Sequence, residues 1–200
     1  MAGTTEPLRI APVTLTGRFV RLEPLTPGHF DALAAIAFDE SIWRWMPLRV
    51  TNQALLRGWV EAALGAQRAG TALPFATVRL DEERLVGSTR FMNIAPHDGR
   101  LEIGSTWLAA DQRRTMVNTE AKYLMLAHAF EALGATRVEL KTHALNVTSR
   151  TAIERLGAQF EGIHRKHMLQ PDGTRRDTAW YSIVDEEWPA VKSRLAAMLH

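Results

Sequence analysis

Residues 100–142 constrain the fold of this chain more than any other stretch, because they predict a strand, a helix and a second strand in succession. The predicted strands cover residues 100–108 and 137–142, and the helix between them, about 117–133, is apolar on nearly every side. A helix of that kind packs against a sheet, and strands joined by a crossover helix lie parallel. We therefore expect a parallel pair whose ligand-binding end is loop 109–116, beyond the carboxyl end of the first strand.

The segments on either side predict antiparallel strands around that pair. Residues 73–80 and 84–93 precede the strand at 100–108, and short polar turns join the three, which is typical of a meander. Near the end of the chain, residues 159–169 and 175–184 flank the hairpin signal of a Gln-Pro-Asp-Gly turn. We expect an α/β (α+β) fold: a mixed, mostly antiparallel central sheet of about seven strands, flanked by helices, with one parallel crossover pair. The other predicted elements are a strand at 17–23 and helices at 27–37, 51–69, 147–156 and around 188–195.

The length of 200 residues suits a single domain that is large enough to bury a core. Residues 1–14 contain two prolines and small polar side chains, so we expect a flexible N-terminal segment that is partly disordered or lies over a neighbouring part of the fold, with residues 15–200 forming the one domain. No apolar leader is visible, and His128 and Glu131 interrupt the longest apolar stretch, residues 123–135. We therefore expect a cytoplasmic protein that is neither secreted nor bound to a membrane.

The composition excludes several classes of site. The chain has no cysteine, which excludes disulfides, thiolate metal sites and a cysteine nucleophile. Three histidines in the second half, His143, His164 and His167, follow no metal-ligand spacing, so we expect no metal. The formal net charge of +2 is too small to indicate nucleic acid, since binding to a phosphate backbone requires several clustered Lys or Arg side chains.

Two predicted helix starts gather the polar side chains of a candidate site. The loop before residue 117 precedes a helix whose first N–H groups and positive dipole end suit a phosphate-bearing ligand. Arg113 and Arg114 lie in that loop, where their guanidinium groups either bind phosphate or stay solvated at the surface. At the second start, Asn146 is followed by Ser149, a spacing that suits a capping pair as well as two ligand contacts.

Taken together, these motifs resemble those of the GCN5-related N-acetyltransferase (GNAT) family, most closely its RimJ/RimL-like branch. Each piece alone is weak, but their order and spacing over about residues 15–195 make a strong match. The pieces are GRFVRLEPL at 17–25, Val86-Gly87, Glu102-Ile103-Gly104, VNTEAK at 117–122, NVTSR at 146–150 and LGA at 156–158.

The resemblance implies an acyltransferase that moves the acetyl group of acetyl-CoA to a primary amine, either a protein N-terminal amino group or a small amine. In that chemistry the amine attacks directly within a ternary complex, so neither a protein nucleophile nor a metal is implied. Similar proteins often form homodimers, and the resemblance raises that assembly as well. The implied contacts to the coenzyme come from Gln112, Arg113, Arg114, Thr115, Met116, Val117, Asn118, Asn146 and Ser149.

Within that set, the resemblance assigns distinct roles to individual residues. Asn146 would bind the pantetheine arm, and Ser149 would lie near the sulfur, either as proton donor to the leaving thiolate or as a polar wall residue. The phosphate loop of the family usually carries glycine where this chain has Arg114 and Met116, and we expect both residues to adopt ordinary backbone angles. Asn118, at the helix start, is a phosphate contact, a helix N-cap or both.

Glu102 lies in the strand before the phosphate loop and is the candidate base. Strand alternation predicts that Leu101 and Ile103 point to one side of the sheet and Glu102 to the other. The same alternation places Trp107 on the side of Leu101 and Ile103, and Thr106 on the side of Glu102. A carboxylate in the cleft could accept the ammonium proton directly or through a water, as the matching strand acid of the family implies. The alternative is a surface glutamate on a partly exposed strand.

Two other functions compete with catalysis. Because its loop lacks glycine, the chain could be a catalytically weak or inactive CoA-binding sensor or interaction module. A basic isoelectric point would by itself favour nucleic-acid binding, which the small net charge disfavours. The leading prediction is therefore the acetyl-CoA-dependent N-acetyltransferase, with Glu102 and Ser149 as its candidate catalytic residues.

Overall fold

A computed structural model describes residues 6–199, which form one open sheet of eight strands. The strands are β1 (Leu15–Thr16), β2 (Val20–Pro24), β3 (Leu73–Arg79), β4 (Arg84–Ala95), β5 (Arg100–Leu108), β6 (Arg137–His143), β7 (Gln159–Leu169) and β8 (Arg175–Val184). Their order across the sheet is β1-β2-β3-β4-β5-β6-β8-β7. The sheet therefore has the seven expected strands and one short additional strand, β1.

Neighbouring strands run antiparallel except β5 and β6, which confirms the predicted parallel pair. The parallel pairing is short, because it joins residues 100–102 to residues 137–139 and ends there. Beyond this point the two strands diverge, and a gap opens between their carboxyl ends. The loops and helices that follow β5 and β6 lie at the edges of this gap.

Helices cover both faces of the sheet. Those in the described part of the chain are α1 (Phe30–Ala34), α2 (Glu40–Trp43), α3 (Gln53–Arg68), α4 (Met116–Ala127), α5 (Val147–Leu156) and α6 (Trp188–Leu199), and α4 continues as a π-helical turn at His128–Ala132. The first three helices and the last three lie on opposite faces, because their buried side chains belong to two separate apolar clusters. None of these helices is long and apolar enough to cross a lipid bilayer.

Glu120 fixes α4 to the sheet. Its carboxylate is buried and accepts the main-chain N–H groups of Arg18 at 2.8 Å, Phe19 at 2.6 Å and Val20 at 2.8 Å. A Cβ atom at Gly17 would collide with this carboxylate, so glycine leaves the room that the contact needs. Because three donors satisfy the carboxylate, Glu120 of the VNTEAK motif is a structural residue that positions the start of α4.

The alternation predicted for β5 is right as far as Gly104 and wrong beyond it. Ile103 belongs to the apolar cluster on the α4 side, but Trp107 packs in the cluster of α1–α3. The register of β5 with β4 shifts between these positions, and Ser105 has a φ of +48°. A β-bulge at Ser105 therefore inserts one residue and exchanges the two faces, so that Thr106 points toward α4.

The N-terminal segment for which the sequence predicts flexibility lies partly outside the described residues, which begin at Glu6. Within the described part, Leu8 is buried, and its N–H donates to the carbonyl oxygen of Pro96 at 3.1 Å. This part of the segment therefore packs against the turn that follows β4.

Candidate active site

The loop between β5 and α4 leads into the start of that helix through a short 3₁₀ turn. Thr115 is the N-cap of α4, and its hydroxyl accepts the N–H of Val117 at 3.3 Å and donates to the carbonyl oxygen of Gln112 at 2.9 Å. The prediction that Asn118 caps this helix is wrong, because Asn118 is already its third residue. Sequence reasoning placed the helix start too late, since the capping threonine is preceded by charged rather than turn-forming residues.

Arg114 departs from the expectation that the loop keeps ordinary backbone angles. Its φ of +63° lies in the left-handed region, which costs a residue with a side chain about 1–2 kcal/mol. That expectation is therefore wrong for Arg114, whereas Met116 is helical as the first residue of α4. The loop thus keeps the shape that glycine would favour, although it carries an arginine there.

Three consecutive main-chain N–H groups at this junction are unpaired. Those of Arg114, Thr115 and Met116 have no hydrogen-bond partner among the described residues, and both Arg114 and Met116 are exposed. The first N–H groups of a helix have no partner within the helix, and the positive end of its dipole lies beside them. This arrangement suits the oxygens of a phosphate group.

The side chains of the loop are not equally available to a ligand. The amide of Gln112 is buried, and its oxygen accepts from Arg79 at 3.1 Å. Arg113 extends to the hydroxyl of Ser41 in α2 at 2.9 Å. The exposed guanidinium of Arg114 makes no hydrogen bond to a described residue. Gln112 therefore holds the loop in place, and Arg114 is free to bind a ligand.

The start of α5 has the predicted capping geometry. Asn146 is the N-cap, and its side-chain oxygen accepts the N–H of Ser149 at 3.1 Å. The amide nitrogen of Asn146 donates to the hydroxyl of Thr142 in β6 at 3.3 Å. In contrast, the hydroxyl of Ser149 has no partner among the described residues. The capping prediction is confirmed, and the coenzyme contacts of both residues stay predictions.

The two helix starts lie on either side of the gap between β5 and β6. Helix α4 follows β5 and helix α5 follows β6, and the strands separate after Glu102 and Glu139. An elongated ligand can therefore lie in the gap with its phosphate at α4. The gap lies at the carboxyl ends of parallel strands, where open sheets bind ligands, and the other end of the ligand would point along it toward Glu102, where the parallel pairing ends.

Glu102 is 2% exposed and points to the face of the sheet that α1–α3 cover, which we call the acceptor face. Its Oε2 accepts from Nδ2 of Asn93 at 2.6 Å and forms an ion pair with Nζ of Lys141 at 2.7 Å. Its Oε1 makes no hydrogen bond to a described residue. The alternative of a surface glutamate is therefore wrong, because this carboxylate is buried in an ion pair and keeps one oxygen free.

A cleft of about 740 Å³ adjoins Glu102 on the acceptor face. Asn93 and Lys141, which hold the carboxylate, line this cleft together with Trp180 and His164. Nζ of Lys141 lies 4.7 Å from the ring centroid of Trp180, and the His164 ring stacks on Trp180 with centroids 4.3 Å apart. The described residues contain no group of three His, Asp or Glu side chains that could hold a metal ion. The cleft is thus a mixed aromatic and charged site beside a buried carboxylate.

Sequence reasoning missed Lys122, the last residue of the VNTEAK motif. Lys122 is 6% exposed, and its Nζ donates to the hydroxyls of Thr106 at 2.6 Å and Thr89 at 3.3 Å. Burial lowers the pKa of Lys122 to about 7, and the nearby charge of Glu102 opposes that shift. The signal was its spacing from buried Met125, which places Lys122 on the apolar side of α4.

Comparison with known proteins identifies the family. Residues 20–159 match the family model described as the acetyltransferase (GNAT) domain, and the chain therefore belongs to the GNAT acetyltransferases. A solved GCN5-related N-acetyltransferase from Brucella melitensis is 35% identical with a TM-score of 0.90, covering 98% of this chain and 90% of that one. YoaA of Bacillus subtilis, an uncharacterised N-acetyltransferase, is 28% identical over 86% of this chain and 97% of that protein.

A further solved structure is RimJ of Mycobacterium smegmatis in complex with CoA-disulfide. It has a TM-score of 0.81 and 23% identity, covering 94% of this chain and 95% of that one, and it shows the same fold. The predicted family, the mixed sheet and the acetyltransferase class are thus confirmed. The individual roles of the loop residues, Glu102 and Ser149 stay predictions.

Proposed function

We propose that this acetyltransferase moves the acetyl group of acetyl-CoA to a primary amine, by direct attack within a ternary complex. The observation that carries the proposal is the set of unpaired N–H groups at residues 114–116, beside the gap between β5 and β6. A diphosphate at those N–H groups would direct an extended coenzyme into the gap, toward Glu102. Holding both reactants in this way contributes on the order of 7–11 kcal/mol to lowering the barrier.

Glu102 prepares the amine in this proposal. An amine is mainly protonated near neutral pH and must lose a proton before it attacks a carbonyl carbon. The free Oε1 of Glu102 accepts that proton directly or through a water, while Asn93 and Lys141 hold the carboxylate through Oε2. Because Glu102 lies where β5 and β6 begin to diverge, it is close to the end of the gap that the thioester would occupy.

Ser149 acts on the leaving group. Its hydroxyl has no partner among the described residues, and it lies one turn into α5, at the edge of the gap. We therefore assign it the donation of a proton to the leaving thiolate. The other proposed contacts to the coenzyme are the pantetheine contact of Asn146 and the diphosphate contacts of Gln112, Arg113, Arg114, Thr115, Met116, Val117 and Asn118, in which Gln112 acts by holding the loop.

The acceptor in this proposal is either a protein N-terminal amino group or a small amine, bound in the cleft beside Glu102. A cytoplasmic location and a homodimer belong to the proposal as well. The competing function, a CoA-binding sensor without turnover, was suggested by a loop without glycine. That argument weakens, because Arg114 already holds the left-handed conformation that glycine would adopt.

The test combines two measurements on the intact protein. Calorimetric titration with CoA measures coenzyme binding, and the release of CoA thiol from acetyl-CoA measures turnover with a panel of primary amines. The proposed function predicts binding together with amine-dependent thiol release and an N-acetylated product in mass spectrometry. Binding without turnover across the panel would favour the sensor, and an absence of binding would contradict both functions.

A further inference from the structure

Arg90 is a half-buried cation on the acceptor face for which the described residues provide no hydrogen-bond partner and no carboxylate. Its Nε and Nη2 atoms are both buried and unpaired. The guanidinium lies against the indole of Trp59 in α3, 4.8 Å from the ring centroid. Burial lowers the pKa of Arg90 to about 10, so the side chain still carries its charge at neutral pH. Buried donors of a charged group that have no partner are costly and rare, which indicates a partner from outside the chain.

The two unpaired atoms of Arg90 lie on one edge of the guanidinium. Their N–H groups point in parallel, and this fork matches the two oxygens of a carboxylate. A further unpaired donor, Nε1 of Trp107, is buried on the same face, and the Trp59 and Trp107 rings lie 5.9 Å apart. Among the described residues five buried side-chain polar atoms have no partner, and three of them belong to Arg90 and Trp107. Unpaired donors are therefore concentrated at this one place.

Gly104 separates this group of donors from Glu102. Arg90 is directly opposite Gly104 in the sheet, so Arg90 and Glu102 are diagonal neighbours with Cα atoms about 7–8 Å apart. A Cβ atom at Gly104 would lie 2.6 Å from Oε1 of Glu102, so the free oxygen of that carboxylate faces the glycine. Sδ of Met92 lies 2.7 Å from the same position, so the acceptor face presents an unpaired acceptor, a glycine covered by a flexible thioether and an unpaired double donor in succession.

We infer that the acetyl acceptor carries a carboxylate one carbon from its amine, as an α-amino acid does, and that Arg90 binds this carboxylate while Glu102 receives the ammonium. The inference rests on the proposed N-acetyltransferase function and names the class of its acceptor. Between the two charged groups lie Gly104, which has no side chain, and the flexible thioether of Met92, which must move aside for the amino acid. The side chain of the amino acid extends from there into the cleft beside Trp180.

The same features disfavour a protein N-terminus as the acceptor. Its first residue has an amide in place of the carboxylate, and an amide offers one neutral oxygen to a fork with two donors. The charge of Arg90 would then stay buried without a counter-charge. Because Nε and Nη2 of Arg90 are buried, a ligand reaches the fork only when neighbouring side chains shift, and a charged carboxylate offsets that cost better than an amide.

The experiment compares free amino acids with the amides of the same amino acids as acceptors, by the release of CoA thiol. For the wild-type enzyme we expect kcat/KM of the acids to exceed that of the amides by about 10- to 100-fold, the effect of a charge-assisted hydrogen-bonded pair. In Arg90→Met this ratio should fall by about 10- to 100-fold from its wild-type value. Arg90→Lys should keep part of it, because a point charge replaces the planar fork.

Arg57→Met is the matched control. The guanidinium of Arg57 also lies over an aromatic ring, 4.4 Å from the centroid of Phe30, but it is exposed on α3 and should leave the ratio unchanged. Without an acceptor, Arg90→Met should unfold at the same temperature as the wild type or higher, since it removes an uncompensated buried charge. A purely structural arginine would instead lower the unfolding temperature when replaced.

The outcomes separate this inference from the proposed function. Equal use of acids and amides by the wild-type enzyme would overturn the inference and leave the acetyltransferase intact. An Arg90→Met variant that loses activity equally with acids and amides would overturn it as well. If no amine supports turnover at all, the proposed function fails and the inference fails with it. If Arg90→Met does not fold, the ratio of kcat/KM for acids and amides in Arg90→Lys provides the test.

Discussion

Near the β5 bulge, the two faces of the sheet differ in whether the protein itself supplies hydrogen-bond partners for their buried polar groups. On the α4 face, the ammonium of Lys122 donates to Thr106 and Thr89. On the acceptor face, Arg90 has no partner among the described residues, and Glu102 keeps one oxygen free. The α4 face therefore satisfies its own polar groups, whereas the acceptor face leaves them for a ligand.

This difference indicates how each substrate is recognised. On the coenzyme side, the buried amide of Gln112 and the capping amide of Asn146 are bonded within the protein, so ligand contacts fall mainly to main-chain N–H groups. A site of that kind tolerates side-chain changes, which fits a loop without glycine. On the acceptor face, the inferred specificity resides in the side chains of Arg90 and Glu102. Substitutions on the coenzyme side should therefore change the free energy of unfolding more than the turnover rate. Those on the acceptor face should change the turnover rate more. Ser149 is the exception on the coenzyme side, since it is the proposed proton donor.

The largest effect is expected from a substitution on the acceptor face. Glu102→Gln keeps the shape of the side chain but removes the base, so turnover should fall about 100- to 10,000-fold, most strongly near neutral pH. Affinity for CoA, measured by calorimetry, should not change. Glu131→Gln replaces an exposed carboxylate that accepts from Lys192 and Trp188 and serves as the control. A pH–rate profile that overlays the wild-type profile would show that Glu102 is not the base.

The next prediction concerns Lys122 on the α4 face and the pH dependence of stability. The pKa of Lys122 is about 7 in the folded protein and 10.5 in its ordinary state, so the unfolded chain binds the proton more tightly. The contribution of Lys122 to stability is therefore lowest below pH 7 and rises with pH between the two values, by up to about 1.4 kcal/mol per pH unit. Lys122→Met should show a flatter dependence in urea unfolding at several alkaline pH values. Parallel curves for the two proteins would contradict the buried ammonium.

The third prediction concerns the exception on the coenzyme side. Ser149→Ala should lower turnover by about a hundredfold, the lower end of the effect of a proton donor, and change affinity for acetyl-CoA less. Thr148→Ala removes an exposed hydroxyl from the same helical turn and is the matched control. Steady-state kinetics with both variants would separate the effects. Wild-type turnover in Ser149→Ala would end the proton-donor proposal.

The smallest effect is expected for Asn146, whose side-chain amide caps α5. Asn146→Ala removes the cap of α5 and should cost about 1 kcal/mol of unfolding free energy. It should also raise KM for acetyl-CoA, if Asn146 contacts the pantetheine arm. Asn146→Asp keeps an oxygen for the N–H of Ser149 and should recover the stability. An unaltered KM in Asn146→Ala would count against the contact, and unaltered stability against the cap.

Periodicity and turn signals were enough to predict most of the fold. The bounds of β5, α5, β7 and β8 agree with the predicted segments, because caps or turns mark their ends. The bulge at Ser105 was missed, since a single inserted residue depends on the pairing with β4 and has no local signal. The reversal of Trp107 and Thr106 follows from that one residue.

Less of the site could be predicted. The order of motifs located Glu102 and the helix starts, and one spacing signal was available for Lys122. The left-handed conformation of Arg114 could not be predicted, because tertiary context holds an arginine where propensity favours glycine. Arg90 alternates like any strand residue, and only the packing of α3 buries it without a partner.

The account depends most on the main chain at the start of α4 holding the diphosphate of the coenzyme. Amide hydrogen exchange, resolved by residue, tests this directly, because the N–H groups of Arg114, Thr115 and Met116 are unpaired in the free protein. Saturating CoA should slow exchange at all three amides, and pantetheine, which has no diphosphate, should not. Unchanged exchange at these amides with CoA bound would contradict the account.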